Sequence, residues 1–244
     1  MFEFGNITKK YKTLDGDKII FDQFSFRVNE GDFISVIGSN GAGKSTLVKL
    51  LVGDETVDSG ELLLKGIDIK NQASFIRKRK IAKVYQDPSK GTAGEMTILE
   101  NMSLADHKGK RFGFSLGVNK KNISKYKDLL STLNLGLENI LNTKVKELSG
   151  GQRQSLALIM ATMNTPDILI LDEHTSALDP KTSEIVMEKT KDIVSKYNIP
   201  TVMITHHLEN AKKYGNRLVK LENGKVVLDL DLSDSGNLEN LKLF

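Results

Sequence analysis

The chain has 244 residues, 39% of them apolar, enough to bury a full core in one large or two modest domains. Its net charge of +4 tolerates an anionic ligand but falls short of the dense basic stripe of a dedicated nucleic-acid binder. Cysteine is absent, which excludes disulfides, thiol chemistry and cysteine metal sites. The opening MFEFGNITKK lacks the basic-then-apolar order of a signal peptide, and no apolar run approaches the roughly 18 residues that cross a bilayer. A cytosolic protein is expected, with any membrane role exercised through a partner.

Four β-rich segments come early: FEFGNIT, KIIFDQFSFRV, FISVIG and ELLLKGIDI, separated by Gly and Asp turn signals. TLVKLLV, after FISVIG, has helical spacing, and IAKVY reads as another strand. From Met96 to Asn164 the spacing is helical, with long polar loops such as HKGKRFGFSLGVNKKN at 107–122 and no convincing strand. DILILD, PTVMIT and NRLVKLE are then short apolar runs separated by helix-length segments, the pattern of parallel strands with crossover helices. Asn223-Gly224 joins LVKLE to KVVLDL as a hairpin. The basic runs RKRK at 77–80 and HKGKR at 107–111 read as solvated faces, with contact to RNA or anionic lipid as the alternative.

The first chemical signal is GSNGAGKST: Gly38, Ser39, Asn40, Gly41, Ala42, Gly43, Lys44, Ser45 and Thr46, lying between the strand FISVI and a helical stretch. Glycines let the backbone N–H groups of such a loop curl around phosphate oxygens, and the helix N-terminus adds its positive end. Lys44 then reaches the outer phosphates and Ser45 offers a hydroxyl to Mg²⁺. An ordinary glycine-rich turn would share the composition, but not the strand before and helix after.

ILILD at 168–172 is a buried strand that stops at two acids, Asp172 and Glu173. Beside a phosphate loop, Asp172 can hold Mg²⁺ through water while Glu173 serves as base toward the attacking water, because adjacent strand-end side chains point differently. In isolation, two such acids would read as solvated or capping groups. LSGGQ at 148–152 also has two readings. Ser149 with Gln152 three residues on forms a capping box that needs no ligand. Equally, Ser149 and the bare glycines Gly150 and Gly151 leave a helix N-terminus on which a phosphate could sit.

Taken in order, GSNGAGKST, Gln86, LSGGQ, ILILDE, SALD and a strand followed by His206 resemble the nucleotide-binding cassette of ATP-binding cassette (ABC) proteins, over nearly the whole chain. The resemblance implies an α/β fold: a P-loop NTPase core with a mostly parallel sheet, an antiparallel β subdomain and an inserted helical subdomain. It makes 1–244 one domain, with 1–95 and 165–244 as core and 96–164 as the helical signature subdomain. It further implies that two copies close head to tail, LSGGQ of one (Ser149, Gly150, Gly151, Gln152) pressing on the γ-phosphate held by the other. By the same resemblance Tyr11 stacks on adenine and Gln86 contacts Mg²⁺ and attacking water. Asp179 communicates across the dimer or, on a bland reading, caps the helix that Pro180 begins. His206 contacts the γ-phosphate, and His207 is the competing candidate, expected to face away on the following helix.

His174 stands where most members of that family have proline. It is expected to be a neutral turn residue that frees φ and adds a backbone N–H, so that His174→Pro would be tolerated; electrostatic tuning of Glu173 is the alternative. GQRQSLALIMATM and DEHTSALDP resemble bacterial importer ATPases for amino-acid-like solutes. The expected function is therefore the ATP-hydrolysing, energy-coupling subunit of a membrane importer. It would use ATP and Mg²⁺, a second copy of itself, an integral membrane permease and an external solute-binding protein, and lie on the cytoplasmic face of the membrane. A soluble ABC ATPase in iron-sulfur assembly, translation or repair is the alternative, and no specific nucleic acid is expected.

Overall fold

The computed structural model describes residues 1–14, 16–108, 117, 118 and 120–234. Gly109 to Arg111 of the second basic run, most of the loop at 107–122, and residues 235–244 lie outside the described residues. The chain divides into two compact units, Met1–Ile81 with Asn198–Phe244, and Ala82–Tyr197.

In the first unit, β1 (Phe2–Thr13), β2 (Gly16–Val28), β4 (Ser59–Leu64) and β5 (Ile67–Asp68) form an antiparallel sheet in the order β2-β1-β4-β5. Strand alternation sends Phe2 and Phe4 of β1 to the same buried face; Ile7, past the register shift at Asn6 (φ +47°), is buried too, and the rings of Phe21 and Phe24 in β2 lie 4.4 Å apart. The β-rich segment ELLLKGIDI carries two strands. Lys65 (φ +52°) and Gly66 (φ +77°) reverse the chain in a two-residue hairpin, pairing Leu64 with Ile67, a turn hidden by the apolar residues on both sides.

The same unit holds a second set of neighbouring strands, β10 (Lys225–Asp231), β9 (Arg217–Glu222), β3 (Phe33–Ile37) and β8 (Thr201–Ile204), in that order. β3 runs parallel to both β8 and β9, and β9 returns antiparallel as β10 through Asn223 (φ +47°) and Gly224 (φ +73°), the hairpin expected from Asn-Gly. Helix α1 (Lys44–Val52) buries Leu47, Leu50 and Leu51. The run RKRK lies in a short helix, α2 (Ser74–Lys80), and is not uniformly solvated. Arg77 is 1% exposed, and its guanidinium donates to the carbonyls of Leu50 (3.1 Å), Ile69 (2.6 Å) and Lys70 (2.7 Å). A third helix of this unit, α7 (Leu208–Tyr214), follows β8.

The second unit carries β6 (Ile81–Val84, from Ala82 on) beside β7 (Ile168–Asp172), with α3 (Ile98–Asp106), α4 (Ile123–Ser131), α5 (Gly150–Thr162) and α6 (Pro180–Tyr197). Between 96 and 164 the described residues form helices and turns, apart from an isolated bridge between Thr97 and Lys144. Thr97 and Glu100 box the start of α3. Its end is fixed by Asp106, 1% exposed, which receives Lys125 Nζ (2.9 Å), Asn122 Nδ2 (2.8 Å) and the Tyr126 hydroxyl (3.1 Å), so the buried carboxylate is paired and α4 is tied to α3. Among the described residues no helix is long and apolar enough to cross a membrane.

Candidate functional site

The phosphate-type loop of the first unit runs from the end of β3 into α1. Its shape depends on backbone that side chains would forbid. Gly43 has φ +108°, and a Cβ there would meet the Phe21 ring at 3.0 Å; a Cβ on Gly38 would lie 2.3 Å from the Leu221 carbonyl oxygen. The β9–β10 hairpin supports the loop as well, because Gly224 N–H donates to Ala42 O at 3.0 Å. Lys44, only 7% exposed, bends back so that its ammonium donates to the carbonyls of Gly38 and Ser39. Those carbonyls hold the ammonium within the loop, where a polyphosphate would otherwise neutralise it. Ser45 is exposed at the start of α1, and Thr46 is buried.

Tyr11 pairs with Lys18 across β1 and β2. Its ring is half-buried, the Lys9 ammonium lies 4.9 Å from the ring centroid, and its buried hydroxyl has no hydrogen-bond partner. Lys9 is itself held by Glu55 at 3.1 Å. One ring face is therefore committed to a cation. His206 and His207 follow β8 and both are exposed; His207 is the N-cap of α7, its N–H bonded to Thr205 Oγ1 (3.0 Å), rather than a helical residue turned away.

In the second unit Asp172 is the last residue of β7, and Glu173 follows with φ +48°, a left-handed conformation that costs a non-glycine residue about 1 kcal/mol. Asp172 Oδ2 is bonded to Lys83 Nζ at 2.8 Å, from the neighbouring strand β6. Gln86 is exposed just past β6, and the carbonyl of Tyr85 before it accepts from Gln154 Nε2 (3.1 Å) of α5, a side chain only 1% exposed. The turn at Gln86 is thus tied to the helix that LSGGQ begins.

At that helix Ser149 Oγ accepts from Gln152 N–H (3.2 Å) and Gln152 Oε1 accepts from Ser149 N–H (3.1 Å), the capping box expected from the sequence. Ser149 and Gly150 are exposed. Gly151 is buried and close to Thr182, whose Cγ2 would be 2.3 Å from an added Cβ. Asp179 caps α6 by accepting from Thr182 N–H at 3.0 Å, and Thr182, through its hydroxyl and then its backbone, holds the Asp179 carboxyl below its ordinary pKa.

His174 is neutral, as the sequence reading expects, but it is buried rather than merely placed in a turn. It is 2% exposed, and desolvation lowers its pKa to about 4, so the ring is neutral near neutral pH and does not tune Glu173 by charge. Its Nε2 lies 3.4 Å from Thr190 Oγ1 in α6; that hydroxyl donates to Val186 O (2.8 Å), which assigns the ring proton to Nε2. Proline at this position would lack the ring nitrogen that meets Thr190.

Sequence reasoning missed Lys83, Gln154 and Thr190. Lys83 was the most legible of them: in IAKVY it alternates onto the face of Ile81 and Tyr85, a charge within a strand otherwise apolar on that face. As to metal, Ser45, Gln86 and Asp172 offer hydroxyl, amide and carboxylate oxygens, the hard donors Mg²⁺ takes. Among the described residues no group of three or more His, Cys, Asp or Glu could hold an ion.

The family model described as ABC transporter matches residues 21–176. A tyrosine transport ATP-binding protein of Clostridioides difficile (strain R20291) is 44% identical over 239 residues, 98% of this chain and 95% of that protein. The phosphonates import ATP-binding protein PhnC of Fusobacterium nucleatum subsp. nucleatum is 34% identical over 230 residues, covering 93% of this chain and 90% of its own length. Among solved structures, a dimeric ATP-binding cassette in a post-hydrolysis state, bound to ADP and Pi, matches with a TM-score of 0.79 and 29% identity, covering 95% of this chain and 99% of that one.

Proposed function

The chain belongs to the ABC transporter family, and from that premise we propose that it is the ATP-hydrolysing subunit that powers import of a small amino acid, of which tyrosine is the first candidate. The observation that carries the reading is similarity over nearly the full length to a tyrosine transport ATP-binding protein. No feature favours a soluble ABC ATPase of iron-sulfur assembly, translation or repair. On this reading 1–244 is one ABC ATPase domain, its core 1–95 and 165–244 and its helical signature subdomain 96–164. It works as a head-to-tail pair of copies, on the cytoplasmic face of the membrane, through an integral permease fed by an external solute-binding protein.

The residues divide the chemistry as follows. The backbone of Gly38 to Thr46 and the Lys44 ammonium bind the phosphates of ATP, Lys44 exchanging its loop carbonyls for phosphate oxygens. The free face of Tyr11 stacks on adenine. Glu173 accepts the proton of the attacking water, Gln86 orients that water, and His206 donates to the γ-phosphate. Ser45, Gln86 and Asp172 would hold Mg²⁺, which supplies charge neutralisation to the phosphates when bound. Ser149, Gly150, Gly151 and Gln152 of the second copy close on the same nucleotide, with Asp179 communicating across the pair.

The test is uptake of labelled tyrosine by cells whose only copy of the chain is wild type or Lys44→Ala. We expect uptake to fall to background with Lys44→Ala while the protein level is unchanged. Undiminished tyrosine uptake would overturn the solute assignment. Unchanged affinity of purified Lys44→Ala for a fluorescent ATP analogue would overturn the assignment of Lys44.

A further inference from the structure

Lys83 is absorbed by none of the roles above, yet it is placed with care. It is the third residue of β6, its side chain is 14% exposed, its Nζ lies 4.7 Å from the centroid of the Tyr85 ring, and the same Nζ is 2.8 Å from Asp172 Oδ2. Asp172 itself is 33% exposed at the side chain. An ammonium so far withdrawn from water, braced on a ring and aimed at one carboxylate oxygen, does more than decorate a surface; an exposed lysine pair would be worth almost nothing.

We propose that Lys83 is a positioning residue that sets how strongly nucleotide binding depends on the divalent cation. This rests on the reading of Asp172 as the metal acid. Without a cation, an unpaired Asp172 carboxylate would repel the polyphosphate; Lys83 cancels that charge and fixes the carboxylate by one oxygen. With a cation present, the ammonium adds positive charge beside a group the metal needs negative. Both effects act in one direction: Lys83 strengthens metal-free binding and weakens the gain that the metal brings.

The quantity to measure is the ratio of affinity for a fluorescent ADP analogue in Mg²⁺ to that in EDTA, together with Mn²⁺ binding to the nucleotide complex by electron paramagnetic resonance. For Lys83→Met, which keeps length and loses charge, the ratio should rise about five- to tenfold, as expected for one unit charge removed at short range in a partly screened site. Mn²⁺ should also bind more tightly. Lys83→Arg should behave as wild type. Lys83→Gln, a shorter neutral side chain, gives the same reading should Lys83→Met lose its fold.

A ratio unchanged or lowered in the neutral variants, or raised equally in Lys83→Arg, overturns the proposal. Asp172→Asn separates the two levels of the argument. If it leaves the metal dependence intact, the reading of Asp172 fails. If it abolishes that dependence while Lys83→Met changes nothing in the Asp172 background, only the Lys83 proposal fails. In the double variant with Asp172→Asn, removal of Lys83 should have no further effect, an outcome that a merely structural lysine would not give.

Discussion

At the scale of single residues, the turn after β7 shows how a backbone strain and a buried ring serve one place. Glu173 sits at φ +48°, and the residue after it is a buried, neutral imidazole packed toward Thr190 of α6. Because the folded chain holds His174 at a pKa of about 4 and the unfolded chain has its ordinary 6.5, the unfolded state binds more protons between those values. Stability is therefore undiminished above pH 6.5 and is lost progressively as pH falls toward 4, by about 3 kcal/mol in all for this group. Urea unfolding of wild type and His174→Gln at pH 7.5 and pH 4.5 tests this. Glutamine can still donate to Thr190 but does not titrate, so the variant should lose less stability than wild type over the interval. Equal losses would show that other groups govern the acid response. The ring's role was not legible in DEHTSALDP, since burial of His174 is decided by α6, which arrives from later in the chain.

Elements were read from the sequence wherever a local signal sufficed. Asn-Gly between two apolar runs gave the β9–β10 hairpin, and Ser149 with Gln152 gave the cap of α5, because turn chemistry and capping act over three or four residues. The phosphate-type loop was legible for the same reason, its glycines and Lys44 being contiguous. What stayed hidden depended on residues far apart. Lys83 meets Asp172 across 89 positions, Gln154 meets Tyr85 across 69, and Arg77 of a run read as solvated spends its guanidinium on carbonyls of α1 and of the segment after β5. Arg77 links α2 to α1, the helix that begins at Lys44, and burial lowers its pKa although Asp68 counters part of that. Arg77→Met should retain the side chain's bulk but take the guanidinium from the Leu50 and Lys70 carbonyls, while Ile69 O keeps the Gln72 N–H (2.9 Å), at a cost of about 2 kcal/mol. Thermal unfolding measures it, and a cost below about 1 kcal/mol would show that water replaces the guanidinium.

At the scale of the whole molecule, one copy has every residue type needed to bind ATP, but a capped helix start is all that LSGGQ provides by itself. With Ser149 Oγ and Gln152 Oε1 satisfied by backbone N–H groups, the box fixes the geometry of the α5 N-terminus and leaves Ser149 and Gly150 exposed. A second copy supplies that ligand on the reading proposed above: its bound γ-phosphate. Glu173→Gln separates binding from chemistry, because an amide keeps shape and one acceptor but takes no proton from water, and phosphate release should slow by about 10²- to 10⁴-fold. Nucleotide then persists between the copies, and the closed pair accumulates because only hydrolysis reopens it. Size-exclusion chromatography of Glu173→Gln should shift to a dimer with Mg-ATP and revert when nucleotide is removed. Adding Ser149→Arg to the same chain should abolish the shift while leaving ATP binding to the monomer intact, since a bulky side chain at the helix start blocks the partner's phosphate. A dimer that survives Ser149→Arg would mean that the copies associate through some other face, and LSGGQ would be a cap alone.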